Sequence, residues 1–350
     1  MFPVRVLTEG GNAVQDIVAH AFRRMCALAG FEDVSLHHVA GGSSFSPAGL
    51  TLSANVSRLV TRLVGHELLA AGHRPDREQV RLMPSGYLLS ELPLGDFAES
   101  RYGAPLVNID TAALAGLIVN DDPASTQVSG LSEIEHAPGV TVNMRAPGPD
   151  EPARAFEVYH AFLDTTPSLA NVTWLGEGCT AWQFSTKQGT HFVFAVPAGT
   201  FDAFPASAFL AEAAAAASLV GRFGLLLPEP AAHWAEGRVV HLGDGAYASH
   251  PYRRETRLLG LEDAWVLSRM LENYETDVGD ALSEYTRFRK PRAARVCTAS
   301  NALATSYLAA TPLARFQRNV GIALRTRFLP EMAMQRVDWL YQYDCIRGFR

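Results

Sequence analysis

The first forty residues follow the order strand, helix, strand. An apolar strand at 4–7 leads into a helix over about 13–29, whose apolar residues recur at helical spacing. Gly30 ends this helix, and a second strand follows at 34–38. Two strands joined by one helix form a right-handed βαβ unit. The chain is therefore predicted to begin with a parallel α/β layer of the nucleotide-binding type.

The middle of the chain has a different pattern. Short segments rich in aromatic or β-branched residues are separated by turn residues, which predicts an antiparallel sheet that roofs a cavity against the first layer. These segments span 140–143, 157–162, 171–174, 181–184 and 191–196. The chain then returns through a strand at 238–242 and helices near 259–273, 277–303 and 313–326.

This interleaving predicts two discontinuous domains. The nucleotide-type domain takes residues 1–75, 104–135 and 235–303, the antiparallel-sheet domain takes 76–103 and 136–234, and residues 304–350 form a helical carboxy-terminal region.

Composition excludes several functional classes. A net charge of −6 offers no basic surface, so no nucleic-acid partner is expected. The four cysteines form no C-x-x-C pair, and His37 and His38 point to opposite faces of a strand, so no metal site is predicted. No run of about 18 apolar residues is present, so no membrane partner is expected. We expect a cytoplasmic protein.

Several stretches resemble one large family. These are a glycine-rich loop at 243–252 followed by Leu261-Glu262-Asp263-Ala264, and the segments 47–55, 92–105, 172–176 and 339–344. In these residues the chain resembles the class A flavoprotein monooxygenases, aromatic hydroxylases typified by salicylate hydroxylase. The resemblance implies a p-hydroxybenzoate hydroxylase-like fold: a Rossmann-like FAD-binding layer, an inserted antiparallel substrate domain and a helical carboxy terminus. It also implies that Asp244 faces the ribityl chain and pyrophosphate of FAD.

The family binds the FAD pyrophosphate at a G-x-G-x-x-G turn, where glycines allow close approach to a helix amino terminus. Here the first strand is followed by Thr8-Glu9-Gly10-Gly11-Asn12. The two glycines are adjacent, and Glu9 adds a negative charge beside the expected pyrophosphate. The phosphate-binding fingerprint is therefore absent.

Other flavin contacts of the family also differ. The acidic residue that accepts the ribose hydroxyls is matched by His38, and the arginine of the family's H-R-A-D-L segment is matched by Thr111. The family's Q-G-A-N segment is replaced by residues 255–258, and its G-A-D-G-x-x-S segment has no counterpart. We therefore expect no cofactor. The alternative is FAD held by other contacts, with Asp244 as its ligand.

Candidate catalytic residues lie on and beside the retained loop. Arg257 matches the position at the flavin pyrimidine edge, where it could bind an anionic or enolic oxygen or could pair with Glu255 or Glu262. Tyr247 and His250 flank the same loop and complete the predicted catalytic set.

Candidate substrate-binding residues are Trp182, Gln183, Phe184, His191, Tyr252 and Glu255. Strand alternation points Trp182 and Phe184 to one face and Gln183 to the other. We expect Arg257 to fill part of the former flavin space. A smaller pocket would then remain between the loop 244–257 and the strands around Trp182 and His191.

Three functions remain open. The first is a protein without FAD that acts on a hydrophobic small molecule, aromatic or of polyketide type, by cyclisation, isomerisation or dehydration in secondary metabolism. The second is an FAD- and NAD(P)H-dependent aromatic hydroxylase. The third is a non-catalytic pseudoenzyme that binds a true monooxygenase through an apolar helix face within 316–340. A homodimer is also possible.

Overall fold

The computed structural model describes residues 2–39, 47–119, 125–128, 138–146, 156–204, 208–248, 256–328 and 330–349. In chain order the strands are β1 Val4–Glu9, β2 Val34–Val39, β3 Gly49–Leu52, β4 Arg77–Leu82, β5 Leu88–Pro93, β6 Val107–Asp110, β7 Ser125–Val128, β8 Val140–Asn143, β9 Phe156–Leu163, β10 Ala170–Leu175, β11 Thr180–Ser185, β12 Thr190–Pro197, β13 Ser218–Phe223, β14 Ala235–Glu236 and β15 Val239–His241. The α-helices are α1 Ala13–Leu28, α2 Ala54–Val64, α3 Glu67–Ala71, α4 Gly95–Tyr102, α5 Thr111–Ile118, α6 Ala211–Ala215, α7 Gly260–Asn273, α8 Val278–Tyr307, α9 Pro312–Phe328, α10 Pro330–Tyr341 and α11 Cys345–Gly348.

The predicted parallel layer is confirmed. Six strands lie in the order β14-β15-β8-β1-β2-β7, and every pair except β14–β15 is parallel. Helix α1 packs on this sheet through a face that includes Ile17, Phe22 and Met25, all fully buried. The amino terminus therefore folds as the βαβ unit that its periodicity predicts.

One strand was assigned to the wrong sheet. The segment 140–143 was predicted in the antiparallel domain, but β8 pairs in parallel with both β1 and β15. Val140, Thr141 and Val142 are all buried, as expected for a central strand covered on both faces. Its position depends on long-range pairing with β1, which local pattern does not encode.

The second sheet has seven strands in the order β13-β9-β12-β11-β10-β4-β5. Its pairs are antiparallel except β10–β4. Two separate apolar clusters cover its faces, one of them including Phe192 and Phe194, the other Trp182, Phe184 and Val193. The antiparallel substrate-type domain is thus confirmed, and its second cluster faces the end of α8.

A short ladder connects the two sheets. Strands β3 and β6 pair antiparallel, with Gly49 opposite Asp110 and Leu52 opposite Val107. Asp110 ends β6 and stands at the amino terminus of α5. The ladder therefore places the start of α5 beside the antiparallel sheet.

Helix α9 directs apolar side chains outward. The exposed fractions are 67% for Leu313, 65% for Phe316, 52% for Leu324 and 66% for Phe328. Its inner face is held by polar contacts, since Arg318 is buried and Thr326 hydrogen-bonds Ser90 at 2.7 Å. An apolar outer face lies within the carboxy-terminal region, as the sequence suggested. Within the described ranges, no helix is long and apolar enough to cross a membrane.

Candidate active site

The turn between β1 and α1 is closed by its own side chains. The Asn12 side chain caps α1 by accepting hydrogen bonds from the backbone N–H groups of Val14 and Gln15, each at 3.2 Å. Such N–H groups are the ones that bind phosphate when a helix amino terminus faces an anion. Here two of these N–H groups already donate hydrogen bonds to the Asn12 side chain.

A buried carboxylate lies in the same turn. Glu9 is 7% exposed, and its Oε2 atom makes no hydrogen bond within the part of the chain that the structure describes. Burial of a charged oxygen without a partner is unfavourable. A second anion placed beside it would add repulsion to that cost.

Gln15 links this turn to the glycine-rich loop. Its side-chain oxygen accepts the backbone N–H of Glu9 at 2.9 Å, and its side-chain amide donates to Asp244 Oδ2 at 3.3 Å. Burial raises the pKa of Asp244, while the Gln15 hydrogen bond and the nearby charge of Arg257 act in the opposite direction. Asp244 therefore faces side chains of the protein itself.

Arg257 is the cation of this group. Burial lowers the pKa of Arg257 to about 9, against the attraction of Asp244. With Gln15, Asp244 and Tyr247 it lines a cavity of about 20 Å³. A cavity of that size holds about one water molecule.

Other positions matched to flavin contacts have protein partners. The His38 ring hydrogen-bonds Thr8 Oγ1 at 2.8 Å and lies 3.4 Å from Asp16. The Thr111 hydroxyl donates to the carbonyl of Pro47, and its N–H donates to the carbonyl of Ala48 at 2.8 Å. Both positions serve contacts between elements of the nucleotide-type domain.

Tyr247 belongs to a buried ion-pair network. Its hydroxyl donates to Asp263 at 2.7 Å, and Asp263 pairs with Arg289 at 2.6 Å. Arg289 also lies 2.9 Å from Glu262, which pairs with Arg292 at 2.6 Å. Burial and the charge of Asp263 raise the pKa of Tyr247 well above its ordinary value. These contacts hold the Tyr247 hydroxyl within a buried network of the nucleotide-type domain.

The predicted substrate side chains divide between the two faces of the antiparallel sheet. Trp182 and Phe184 lie together on the face toward α8, whereas Gln183 accepts a hydrogen bond from Trp174 Nε1 at 3.1 Å on the opposite face. Trp182 lines a cavity of about 460 Å³ between this sheet and the carboxy-terminal helices. Its lining includes Val80, Ser90, Thr173, Thr180, Trp182, Tyr307, Thr326, Met334 and Trp339. We call this cavity the sheet–helix chamber.

The single pocket expected around both Arg257 and Trp182 is not what the described residues form. Arg257 lines the small cavity beside α1, and Trp182 lines the sheet–helix chamber. Arg257 and Asp244 both line the small cavity within the nucleotide-type domain, where each lies in the electrostatic field of the other. His250, Tyr252 and Glu255 lie outside the described residues.

His191 is buried in a chain of ionisable side chains. Its Nε2 atom lies 3.1 Å from Asp110 Oδ1, and its Nδ1 atom lies 3.1 Å from His160 Nε2. Sequence reasoning singled out His191 but missed Asp110 and His160. The only local signal for Asp110 was its position directly before a helix, which indicates a cap and not a histidine partner.

Comparison with known proteins supports the fold and the family. No protein family model matches the sequence. The 6-hydroxynicotinate 3-monooxygenase of Bordetella bronchiseptica is 28% identical over 325 residues, with 77% of this chain and 84% of that protein covered. A 3-amino-4-hydroxybenzoate 2-monooxygenase of Streptomyces platensis is 25% identical over 339 residues, covering 82% and 84%.

Solved structures agree with these relatives. A variant of Klebsiella pneumoniae HpxO complexed with FAD superposes with a TM-score of 0.78 at 15% identity, covering 97% of this chain and 98% of that one. A salicylate hydroxylase substrate complex gives 0.68 at 16% identity, covering 98% and 96%. The fold is therefore that of FAD-dependent monooxygenases. By sequence and fold together, the chain is related to flavin-dependent aromatic monooxygenases, in agreement with the resemblance to the class A family.

Proposed function

We propose that this chain is an enzyme of the flavin monooxygenase fold that does not hold FAD and acts on a hydrophobic small molecule. The substrate would be aromatic or of polyketide type, from secondary metabolism. The chemistry would be non-redox: cyclisation, isomerisation or dehydration by acid/base catalysis or templating. One observation carries this proposal, namely that Gln15 bridges the backbone of Glu9 to the Asp244 carboxylate, with Arg257 lining the same small cavity, where the family resemblance places the FAD diphosphate.

Charge and volume both support the absence of FAD. A bound diphosphate would bring negative charge to a turn that already holds the buried Glu9 carboxylate, with Asp244 close by. Two amide groups at the start of α1 are occupied by Asn12. The cavity between Asp244 and Arg257 accommodates about one water molecule. The described residues therefore do not fit the cofactor.

The sheet–helix chamber supports a small-molecule substrate. Its volume of about 460 Å³ lies within the usual range for ligand sites, roughly 300–1,000 Å³. Trp182 and Trp339 offer aromatic surface, and Thr173 and Thr180 offer hydroxyl groups that can fix an orientation. Acid/base and templating reactions need shape and protonation rather than a redox cofactor.

The catalytic roles of Arg257, Tyr247 and His250 remain predictions. The burial of Arg257 beside the charge of Asp244, and the hydrogen bond of Tyr247 to Asp263, favour structural roles for these two side chains.

The alternative is an FAD- and NAD(P)H-dependent aromatic hydroxylase. It is supported by the monooxygenase relatives and by the FAD complex of the HpxO variant. A pseudoenzyme that binds a true monooxygenase is the third candidate, supported by the exposed apolar face of α9. Under either alternative the sheet–helix chamber would not host a non-redox reaction.

A ligand titration tests the proposal. We expect 1-naphthol to bind the purified protein, as measured by calorimetry, and to bind about tenfold more weakly to Trp182→Ala. Tyr87→Ala is the matched control, because Tyr87 is 64% exposed and lies away from the chamber lining. Equal affinity for the wild type and Trp182→Ala would contradict the chamber assignment. NAD(P)H oxidation that depends on added FAD would favour the hydroxylase.

A further inference from the structure

Three ionisable side chains form a continuous chain at the junction of the β3–β6 ladder and the antiparallel sheet. Asp110 Oδ1 lies 3.1 Å from His191 Nε2, and His191 Nδ1 lies 3.1 Å from His160 Nε2. Thr186 donates its hydroxyl to the same Asp110 oxygen at 3.0 Å. We call Asp110, His191 and His160 the relay.

The hydrogen-bond partners fix the tautomers of the relay. A carboxylate oxygen only accepts, so His191 must donate its Nε2–H to Asp110. His191 Nδ1 is then an acceptor, and it receives the Nε2–H of His160. The Nδ1 atom of His160 is left with a lone pair. Within the described part of the chain it makes no hydrogen bond.

The surroundings enclose the His191 ring and favour neutral imidazoles at both histidines of the relay. His191 is 2% exposed, and a Cβ atom at Gly49 would lie 2.9 Å from its ring, so only glycine permits this approach. The Phe184 ring stacks on His191 with centroids 5.2 Å apart. Burial lowers the pKa of His191, and burial together with the neighbouring His191 lowers the pKa of His160 to about 4. Both imidazoles are therefore neutral at neutral pH.

The register of the sheet places the relay on the same face as Trp182. Val193 pairs with Trp182 on one side and with His160 on the other, so these three residues form one row across β11, β12 and β9. Paired residues point to the same face, and neighbouring strands are about 4.8 Å apart. His160 thus stands about 10 Å across the sheet from Trp182. It is only partly buried, whereas His191 behind it is enclosed.

We propose that His160 is a general base that removes a proton from a carbon or oxygen acid of the substrate, such as an enolisable ketone or a phenol. This inference rests on the proposed non-redox function. The proton moves to His160 Nδ1, and the electron pair of the broken bond stays on the substrate as an enolate or phenolate. His191 and Asp110 are positioning residues, since they hold the tautomer and stabilise the imidazolium that forms. In an isomerisation, the same proton returns to a different substrate atom.

The competing role is a purely structural one, in which the hydrogen bonds of the relay only hold the ladder against the sheet. Nearby polar pairs such as Thr51–Asn108 and Asn108–Asn171 have that character. If the role is purely structural, substitutions in the relay would lower the stability of the fold but would leave the rate of proton transfer unchanged. Rates and stability must therefore be measured together.

The test uses 5-nitrobenzisoxazole, whose C–H proton is removed by a base while the N–O bond breaks to give a coloured cyanophenolate. No oxidant or reductant takes part. We expect His160→Gln to lower kcat/KM about 100-fold. The matched control is His66→Gln, because His66 is exposed at the start of α3 and is not part of the relay. We expect it to match the wild type.

Two further variants separate positioning from folding. Asp110→Asn should lower kcat/KM about tenfold in the wild type and should have no further effect in the His160→Gln background. Thermal unfolding of each variant checks that it is folded. Turnover by His160→Gln within twofold of the wild type, or a wild-type rate no greater than that of free imidazole at the same concentration, would overturn the proposal. Flavin binding by a protein with an active relay would instead contradict the proposed function and leave the relay intact.

Discussion

The side-chain amide of Gln15 donates a hydrogen bond to Asp244 at 3.3 Å, although the two residues are 229 positions apart. Gln15 lies in the first turn of α1, and Asp244 opens the glycine-rich loop. The family resemblance implies that both elements would lie near the pyrophosphate of FAD. Their direct contact here is the structural basis for the proposal that FAD is not bound.

The first prediction concerns the charge pair beside that contact. Arg257→Ala should lower the free energy of unfolding by about 2 kcal/mol, because it leaves the buried Asp244 without its nearby cation. Asp244→Asn in the Arg257→Ala background should restore part of that loss. Urea unfolding of the two single variants and the double variant measures the coupling. Additive effects would mean that Arg257 and Asp244 do not interact.

The second prediction concerns the ion-pair network. Arg289→Met should lower the free energy of unfolding by about 3–5 kcal/mol, because two buried carboxylates, Asp263 and Glu262, lose a partner. Arg287→Met is the matched control on the same helix. Arg287 is 62% exposed and pairs with Glu284, so its loss should change stability by less than about 0.5 kcal/mol. Similar effects for both variants would refute a structural role for the network.

The third prediction is a pH dependence of stability. Burial alone would raise the pKa of Glu262, but Arg292 and Arg289 together hold it below its ordinary value. A depressed pKa in the folded state gives stability that is present above the unfolded value, about 4.5, and is lost as the pH falls through the folded value. Glu262→Gln should therefore be less stable than the wild type at pH 7. Its stability should also fall less steeply than that of the wild type as the pH drops into the acid range. Thermal unfolding from neutral to acid pH measures both curves, and parallel curves would contradict the assignment.

The fourth prediction concerns the outer face of α9. Phe316, Val320 and Leu324 follow each other at four-residue spacing, which suits antiparallel pairing of α9 with a second copy about a two-fold axis at Val320. We expect a dimer in light scattering and a monomer for Leu324→Glu. Leu226→Glu is the control, since Leu226 is 56% exposed and lies outside this helix. A monomeric wild type would contradict the predicted dimer and would point to a different partner for this face.

Local sequence pattern predicted most of the fold. The helical spacing of Ile17, Phe22 and Met25 predicted the helix of the first layer, and the short β-branched segments predicted the second layer. Both patterns depend only on residues that are near one another in the chain. The position of β8 and the contact of Asp110 with His191 could not be predicted. Both depend on strand pairing between distant segments: β8 with β1, and β3 with β6 against the antiparallel sheet.

The site was predicted only in part. Resemblance directed attention to Asp244 and Arg257, and alternation placed Gln183 on the face opposite Trp182. Neither argument revealed that Arg257 lines the small cavity beside Asp244 and not the sheet–helix chamber, since the direction of a long side chain depends on its three-dimensional surroundings. The sequence did not indicate a role for His160, because a histidine within an aromatic strand has the same pattern as any other half-buried strand residue.

The most direct test of the central claim is calorimetric titration of FAD into the purified protein, together with its absorption spectrum before titration. We predict a colourless protein and no saturable binding in the micromolar range. Glu9→Gln, which removes one buried charge but leaves the Gln15–Asp244 bridge in place, should also fail to bind. Flavin bands in the purified protein with stoichiometric FAD released on denaturation, or tight one-to-one binding of added FAD, would contradict the account.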